Sequence, residues 1–167
     1  MSTVYLTVGI SGSGKSRYGE IMKTQNPSLK IICPDDIRKE LTGNISDQSK
    51  NKEVWDLAYN RLKNALESSN DVYFSATTLN PKSYKAVKEI ADSVNANVEI
   101  LLFKDSYDWK LCQERVNKDI KNGVDRSNTL VLVGDNSNKM PLIQSMSNRF
   151  VDMAKWLALS GVKFKKL

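Results

Sequence analysis

Short apolar runs alternate with amphipathic stretches along this chain, beginning with the run at residues 3–9. A short apolar run bounded by turn residues is typical of a buried strand, whereas apolar positions at i, i+3 and i+4 indicate a helix. The pattern predicts strands over residues 3–9, 30–33, 71–76 and 97–103, with an edge strand over 162–167. It predicts helices over residues 15–24, 35–41 and 51–68, and three more that begin at Pro81, after Asp105 or Ser106, and at Pro141. This alternation indicates an α/β fold with a mostly parallel sheet.

The stretch 51–68 carries the clearest helical pattern. Its apolar residues form one stripe at helical spacing, which predicts a helix with one face in the core. The stripe consists of Val54, Leu57, Ala58, Leu62, Ala65 and Leu66. The polar segment 42–50 before it contains Gly43 and Asn44 and is expected to be a loop.

Length and composition restrict the class of protein. A chain of 167 residues suits one domain, so we expect a single domain over residues 1–167. The longest apolar runs are too short to cross a membrane, and two cysteines provide no disulfide framework. Both observations predict a cytoplasmic protein without a membrane partner. Because the chain has no histidine, a His-based zinc site, a histidine general base and a Ser-His-Asp triad are excluded.

The charge of the chain is basic. Its 25 basic and 19 acidic residues give a net charge of +6, and residues 139–167 alone hold six basic residues against one acidic residue. This balance is compatible with a polyanionic partner such as nucleic acid. A solvated basic helix face is the simpler alternative.

The segment 9–16 matches the phosphate-binding pattern G-x-x-x-x-G-K-[ST] at every fixed position. It follows a predicted strand and opens a predicted helix, as the pattern requires. Glycines let backbone N–H groups point at phosphate oxygens, Lys15 supplies a charge for the β- and γ-phosphates, and Ser16 offers a hydroxyl to Mg²⁺. The helix dipole also favours an anion at this end. The expected ATP ligands in the loop are Ser11, Gly12, Ser13, Gly14, Lys15 and Ser16.

A second group of polar residues, Asp35, Asp36 and Arg38, follows the second predicted strand. In a parallel sheet this is the carboxyl edge, to which the first strand also delivers the loop 9–16. A carboxylate there can accept the proton of an attacking hydroxyl, and Arg38, three residues beyond Asp35, can grip a phosphate of the acceptor. Alternatively, Asp35 caps the short helix and Asp36 interacts with its dipole.

Together these segments resemble a known family. The glycine-rich loop, the D-D-x-R segment from Asp35 and the run from Thr77 to Pro81 resemble the kinase domain of phage-type 5′-hydroxyl polynucleotide kinases. The segment from Cys112 to Arg115, followed by Asp125 and Arg126, resembles the lid of bacterial RNA-repair polynucleotide kinases. The similarity extends from residue 1 to about residue 130 and weakens beyond it.

The resemblance implies an ATP- and Mg²⁺-dependent kinase that transfers the γ-phosphate to the 5′-OH end of DNA or RNA. It implies that Asp35 is the general base and that Arg38 contacts the acceptor's phosphate. It also implies that a lid arginine touches the β- or γ-phosphate, with Arg126 the first candidate and Arg115 the second. Thr77 and Thr78 are the corresponding acceptor-side residues. The expected fold has three layers, with a five-stranded parallel sheet in the order 2-3-1-4-5. If the gene is of phage origin, the location is the cytoplasm of a bacterial host.

Three departures from the family pattern stand out. The family usually has an acidic residue at the end of the third strand, where this chain has Ser75 and Ala76, and Ser75 could hold a metal-bound water instead. The lid also has residues 119–123 inserted between its two arginines. No D-x-D-x-T phosphatase signature occurs, so a kinase without the phosphatase domain is expected.

Two alternative functions are compatible with the sequence. A small-molecule kinase for a nucleoside, nucleotide or sugar would carry the same phosphate-binding loop. A nucleotide-dependent binding module without catalysis would fit the missing acidic residue. Trp55, Tyr59 and Trp109 could stack on nucleic-acid bases, although such residues more often pack in the core.

Overall fold

A five-stranded parallel sheet lies at the centre of the computed structural model, which describes the backbone of residues 1–167 and every side chain except that of Ser127. The strands are β1 (Thr3–Val8), β2 (Lys30–Ile32), β3 (Val72–Phe74), β4 (Asn97–Leu102), β5 (Leu132–Val133), β6 (Met140–Pro141) and β7 (Phe164–Lys166). The helices are α1 (Lys15–Gln25), α2 (Pro34–Thr42), α3 (Asn51–Glu67), α4 (Pro81–Ser93), α5 (Trp109–Lys121) and α6 (Leu142–Leu159). Two short 3-10 turns cover Lys104–Tyr107 and Ser127–Thr129.

The sheet has the order β2-β3-β1-β4-β7, with every neighbouring pair parallel. Counted in chain order among these five strands, this is the order 2-3-1-4-5, so the predicted topology is confirmed. Because all five strands run the same way, the loop after β1 and the start of α2 lie at the same edge of the sheet.

Helices cover both faces of the sheet. Alternate residues of β1 point to opposite faces, and Val4, Leu6 and Val8 lie fully buried under α3, α4, α5 and α6. On the other face, Tyr73 and Leu101 pack with Tyr18 and Met22 of α1. The three-layer α/β prediction is therefore confirmed.

Besides shifts of one or two residues at several element ends, three features differ from the sequence-based prediction. Residues 104–107 form a 3-10 turn, so Asp108, and not Asp105 or Ser106, caps α5 by accepting a hydrogen bond from the backbone N–H of Leu111 (3.1 Å). An antiparallel hairpin, β5–β6, lies in the polar segment before the last helix. Pro141 belongs to that hairpin, and α6 begins one residue later.

Within the part of the chain described, no helix combines the length and apolarity needed to span a bilayer.

Candidate active site

The loop between β1 and α1 has a backbone that only glycine adopts easily. Gly12 and Gly14 have φ angles of +79° and +99°, in the left-handed region. A Cβ on Gly12 would also lie 2.4 Å from the backbone carbonyl oxygen of Cys112 in α5. These two glycines therefore allow the loop to curl tightly beneath α5, with its end at the N-terminus of α1.

Hydrogen bonds fix the loop, both among its own residues and to neighbouring segments of the chain. The Ser13 hydroxyl and the Lys15 ammonium both donate to the carbonyl oxygen of Ile10, at 2.7 and 2.6 Å. From outside, the N–H of Ile10 donates to the hydroxyl of Ser106 (3.0 Å), which is fully buried. The N–H of Gly9 donates to the carbonyl of Thr77 (3.0 Å). The loop is therefore preorganised by contacts to the segments that follow β3 and β4.

The Lys15 ammonium is held close to other charges and is partly withdrawn from solvent. The pKa of Lys15 is lowered from 10.5 to about 8, mainly because the group is buried; the nearby Asp35 opposes this shift and Arg126 adds to it. This side chain therefore lacks a full counter-charge, which a phosphate group would supply.

Asp35 and Arg38 meet on the first turns of α2. The Arg38 Nη1 donates to the Asp35 carboxylate at 2.5 Å, and the Arg38 Nη2 donates to the amide oxygen of Asn51 at 3.1 Å. The side chain of Arg38 is only 7% exposed, whereas that of Asp35 is 55% exposed. Among the described residues, the buried Nε of Arg38 has no hydrogen-bond partner. A buried donor of this kind is uncommon in folded proteins.

The two lid arginines differ in their contacts. Arg115 pairs with Asp105 (2.8 Å) and donates to the carbonyl oxygen of Gly12 in the loop (3.1 Å). Arg126 pairs with Asp119 (3.0 Å), and within the described part of the chain its buried Nε has no hydrogen-bond partner. Arg115 is thus fixed on the loop, while Arg126 keeps an unused donor near Lys15.

One cavity of about 1060 Å³ brings nearly all predicted site residues together. Its lining includes the loop residues from Ser11 to Ser16, and also Asp35, Arg38, Thr77, Arg115 and Arg126. Thr78 does not contribute to the described lining. It is buried and has a φ of +48°.

The cavity also contains Trp55 and Ser75, for which the sequence allowed base stacking and a metal-bound water. Residues without a sequence-based role line it as well, among them Gln48, Asn51, Asp105 and Asp119. The sequence gives no signal for Asp105 and Asp119, because their ion pairs with Arg115 and Arg126 form only in the folded chain. Asn51 could have been suspected because it shares a face of the predicted helix 51–68 with Trp55, four residues away.

The donors near the loop fit a magnesium ion that is held mainly by phosphate. Among the described residues there is no cluster of three His, Cys, Asp or Glu side chains suited to a metal ion. Mg²⁺ in phosphoryl-transfer sites usually takes one or two protein ligands and fills its shell with water and phosphate oxygens. Ser16, in the first turn of α1, and Ser75, at the end of β3, both line the cavity and offer hydroxyl oxygens of this kind.

Similar folds occur among solved structures. A chain of the Pnkp1/Rnl/Hen1 RNA repair complex aligns with a TM-score of 0.68 at 13% identity, over 92% of this chain and 45% of that one. The present chain thus spans less than half of that relative. A chain of the PezAT toxin-antitoxin system of Streptococcus pneumoniae gives 0.65 at 16% identity, over 99% of this chain and 68% of that one. The Mycobacterium tuberculosis APS kinase CysC, in complex with AMPPNP and APS, gives 0.51 at 14% identity, over 92% and 97%.

No curated protein matches the sequence. The fold is the parallel α/β fold of these solved structures, and residues 9–16 match the phosphate-binding loop pattern. A family model for an AAA domain, AAA_33, matches residues 4–130, which is most of the chain, and the protein therefore belongs to this family.

Proposed function

We propose that this protein is an ATP-dependent polynucleotide kinase that transfers the γ-phosphate to the 5′-hydroxyl end of DNA or RNA. The observation that carries the proposal is the ion pair of Asp35 and Arg38 in the same cavity as Lys15. A carboxylate beside a phosphate-binding loop suits an alcohol acceptor, because the hydroxyl must lose a proton as it attacks.

The donor half of the site supports this reaction. The loop's backbone N–H groups and Lys15 bind the triphosphate, and Arg126, which lines the same cavity, offers its guanidinium charge to the group in transfer. Mg²⁺, bound through Ser16 and phosphate oxygens, would neutralise charge on the β- and γ-phosphates. The bond from the γ-phosphorus to the acceptor oxygen forms while its bond to the β–γ bridging oxygen breaks. Asp35 takes the acceptor's proton, and a nucleoside diphosphate leaves.

The part of the cavity around Arg38, where the acceptor would bind, favours a substrate that already carries a phosphate group. Arg38 is nearly buried, yet only two of its nitrogens have partners, Asp35 and Asn51. Arg38 lines the cavity beside Asp35, so a phosphodiester next to the reacting hydroxyl would lie near its positive charge, and the 5′ end of a polynucleotide has such a group. The net charge of +6 adds a general attraction for nucleic acid. The RNA repair complex named above is a nucleic-acid system with the same fold.

An acceptor panel with γ-labelled ATP tests the proposal. We expect label to enter 5′-hydroxyl DNA or RNA oligonucleotides and not oligonucleotides already phosphorylated at that end. Nucleosides, nucleoside 3′-monophosphates and sugars complete the panel. Labelling confined to nucleosides or sugars would mean a small-molecule kinase. Tight ATP binding without transfer to any acceptor would indicate a binding module.

Two variants on the same helix turn show which carboxylate acts. Asp35→Asn should lower kcat by about 10²-fold or more, the usual effect of losing a general base. Asp36→Asn is the matched control, because this neighbouring carboxylate lies outside the described cavity lining. Equal activity of the two folded variants would remove Asp35 from the mechanism.

A further inference from the structure

The indole ring of Trp55 lines the cavity and is only half-buried. It lies in α3, four residues after Asn51, and both residues line the part of the cavity near Arg38. Val54, Ala58 and Leu62 of the same helix are fully buried, whereas Trp55, like Tyr59, keeps part of its surface exposed. Part of its surface is therefore available to a molecule in the cavity.

Two aromatic side chains, packed in series, hold Trp55 in place. Its ring packs on Tyr59, with centroids 5.7 Å apart, and Tyr59 stacks on the buried Phe74 of β3 at 6.2 Å with an interplanar angle of 7°. Side chains anchored in this way lose little conformational freedom when a ligand binds. The ring of Trp55 is thus preorganised as a flat apolar wall.

The helix spacing between Trp55 and Asn51, the partner of Arg38, is comparable to the span of one nucleotide. Asn51 accepts a hydrogen bond from Arg38, and Trp55 is one helical turn further along the same face, a rise of about 6 Å. In a terminal nucleotide the base and the 3′-phosphate are separated by one sugar ring. A phosphate at Arg38 therefore brings the base of the same nucleotide to Trp55.

We propose that Trp55 is the stacking platform for the nucleobase of the acceptor's 5′-terminal nucleotide. This inference rests on the proposed function and extends it, because it makes the terminal base part of what the enzyme recognises. Stacking does not depend on hydrogen-bond patterns, so the platform accepts all four bases. It also distinguishes a nucleotide end from a phosphorylated sugar without a base.

The test combines a protein change with a substrate change. One acceptor is an ordinary 5′-hydroxyl oligonucleotide, and the other has an abasic tetrahydrofuran residue at its 5′ end, with the same hydroxyl and the same phosphodiester. For the wild-type protein we expect the abasic end to raise KM by about tenfold or more, the usual effect of losing one base–aromatic stack. For Trp55→Leu we expect the ordinary acceptor to show that higher KM, with no further increase for the abasic one.

Two more variants exclude an effect on folding. Trp55→Phe keeps an aromatic ring on Tyr59 and should keep most of the preference for a base. Trp156→Leu removes a tryptophan that packs on Tyr84 away from the described cavity lining, and should leave the preference unchanged.

The outcomes separate this inference from the proposed function. If the wild-type protein labels both oligonucleotides with the same KM, or if Trp55→Leu still prefers the ordinary acceptor as strongly as the wild type, the inference is overturned while the polynucleotide kinase remains. If no oligonucleotide is labelled, both statements fail.

Discussion

Replacing Lys15 by methionine should abolish nucleotide-dependent activity and yet make the folded protein more stable at pH 7. Methionine has a similar length and no charge, so it removes the ammonium group and keeps most of the packing. In the wild-type protein this group is partly buried and has no full counter-charge, and its pKa falls from 10.5 to about 8. Folding therefore works against the charge of Lys15.

The size of this effect follows from the pKa shift. Each pKa unit corresponds to about 1.4 kcal/mol, so the shift from 10.5 to about 8 destabilises the folded state by on the order of 3 kcal/mol below pH 8. The variant also loses the hydrogen bond from Lys15 to Ile10, worth about 1 kcal/mol. The carbonyl of Ile10 still accepts from the N–H and the hydroxyl of Ser13. The net gain should be ~1–2 kcal/mol, or ~2–8 °C in Tm.

The pH dependence gives the sharper measurement. Between pH 8 and 10.5 the unfolded chain keeps its proton on Lys15 while the folded protein loses it, so the stability of the wild type rises with pH across this window. Methionine does not titrate. The stability difference between the variant and the wild type should therefore be constant below pH 8 and shrink towards pH 10.5. Urea unfolding at pH 7, 8, 9 and 10 measures it directly.

A surface lysine serves as the control. Lys52→Met changes a side chain that is 85% exposed and should leave the urea midpoint of unfolding nearly unchanged at each pH. If Lys15→Met is no more stable than Lys52→Met at pH 7, or if its advantage persists at pH 10, the argument from burial of the charge is refuted.

Three further predictions concern the loop and the lid. In urea unfolding, Gly12→Ala should lower the free energy of unfolding by ~2 kcal/mol or more beyond the loss for Gly43→Ala. Both positions have a positive φ, but only at Gly12 would the added Cβ meet a backbone carbonyl of α5. Equal losses in the two variants would exclude the clash. Arg126→Ala should lower kcat by ~10²-fold or more. Arg115→Ala should instead mainly destabilise the loop, which would appear as a lower Tm. The reverse result would exchange the roles of the two arginines. The Kd for ATP should rise by up to ~10-fold per pH unit above pH 8 in the wild type, as Lys15 loses its proton, and remain flat in Lys15→Met, as isothermal calorimetry would show.

The sequence predicted the features that depend on neighbouring residues. The glycine and lysine positions of the loop are fixed by local backbone geometry, and Asp35 and Arg38 are one helical turn apart. The parallel sheet followed from apolar runs separated by helical stripes. Each of these signals lies within a few residues, where periodicity and turn chemistry act directly.

Contacts between distant parts of the chain were not predictable in this way. The support of the loop by Ser106 joins residues 96 positions apart, and in the sequence Ser106 looked like a helix cap. The true cap, Asp108, was obscured because a 3-10 turn delays the start of α5. The hairpin β5–β6 has only two residues in each strand, too few for an alternating pattern. The position of Asn51 and Trp55 beside Arg38 depends on the packing of α3 against α2.

The positive charges of the cavity differ in whether they face a carboxylate. Three cavity arginines already face carboxylates in ion pairs, so each is largely neutralised before any ligand arrives. These pairs are Arg38 with Asp35, Arg115 with Asp105, and Arg126 with Asp119. The Lys15 ammonium donates instead to a neutral carbonyl. A triphosphate at the proposed nucleotide site would therefore add the counter-charge that Lys15 lacks without breaking an existing ion pair. The same uncompensated charge that lowers the stability of the folded protein would then favour binding of the nucleotide.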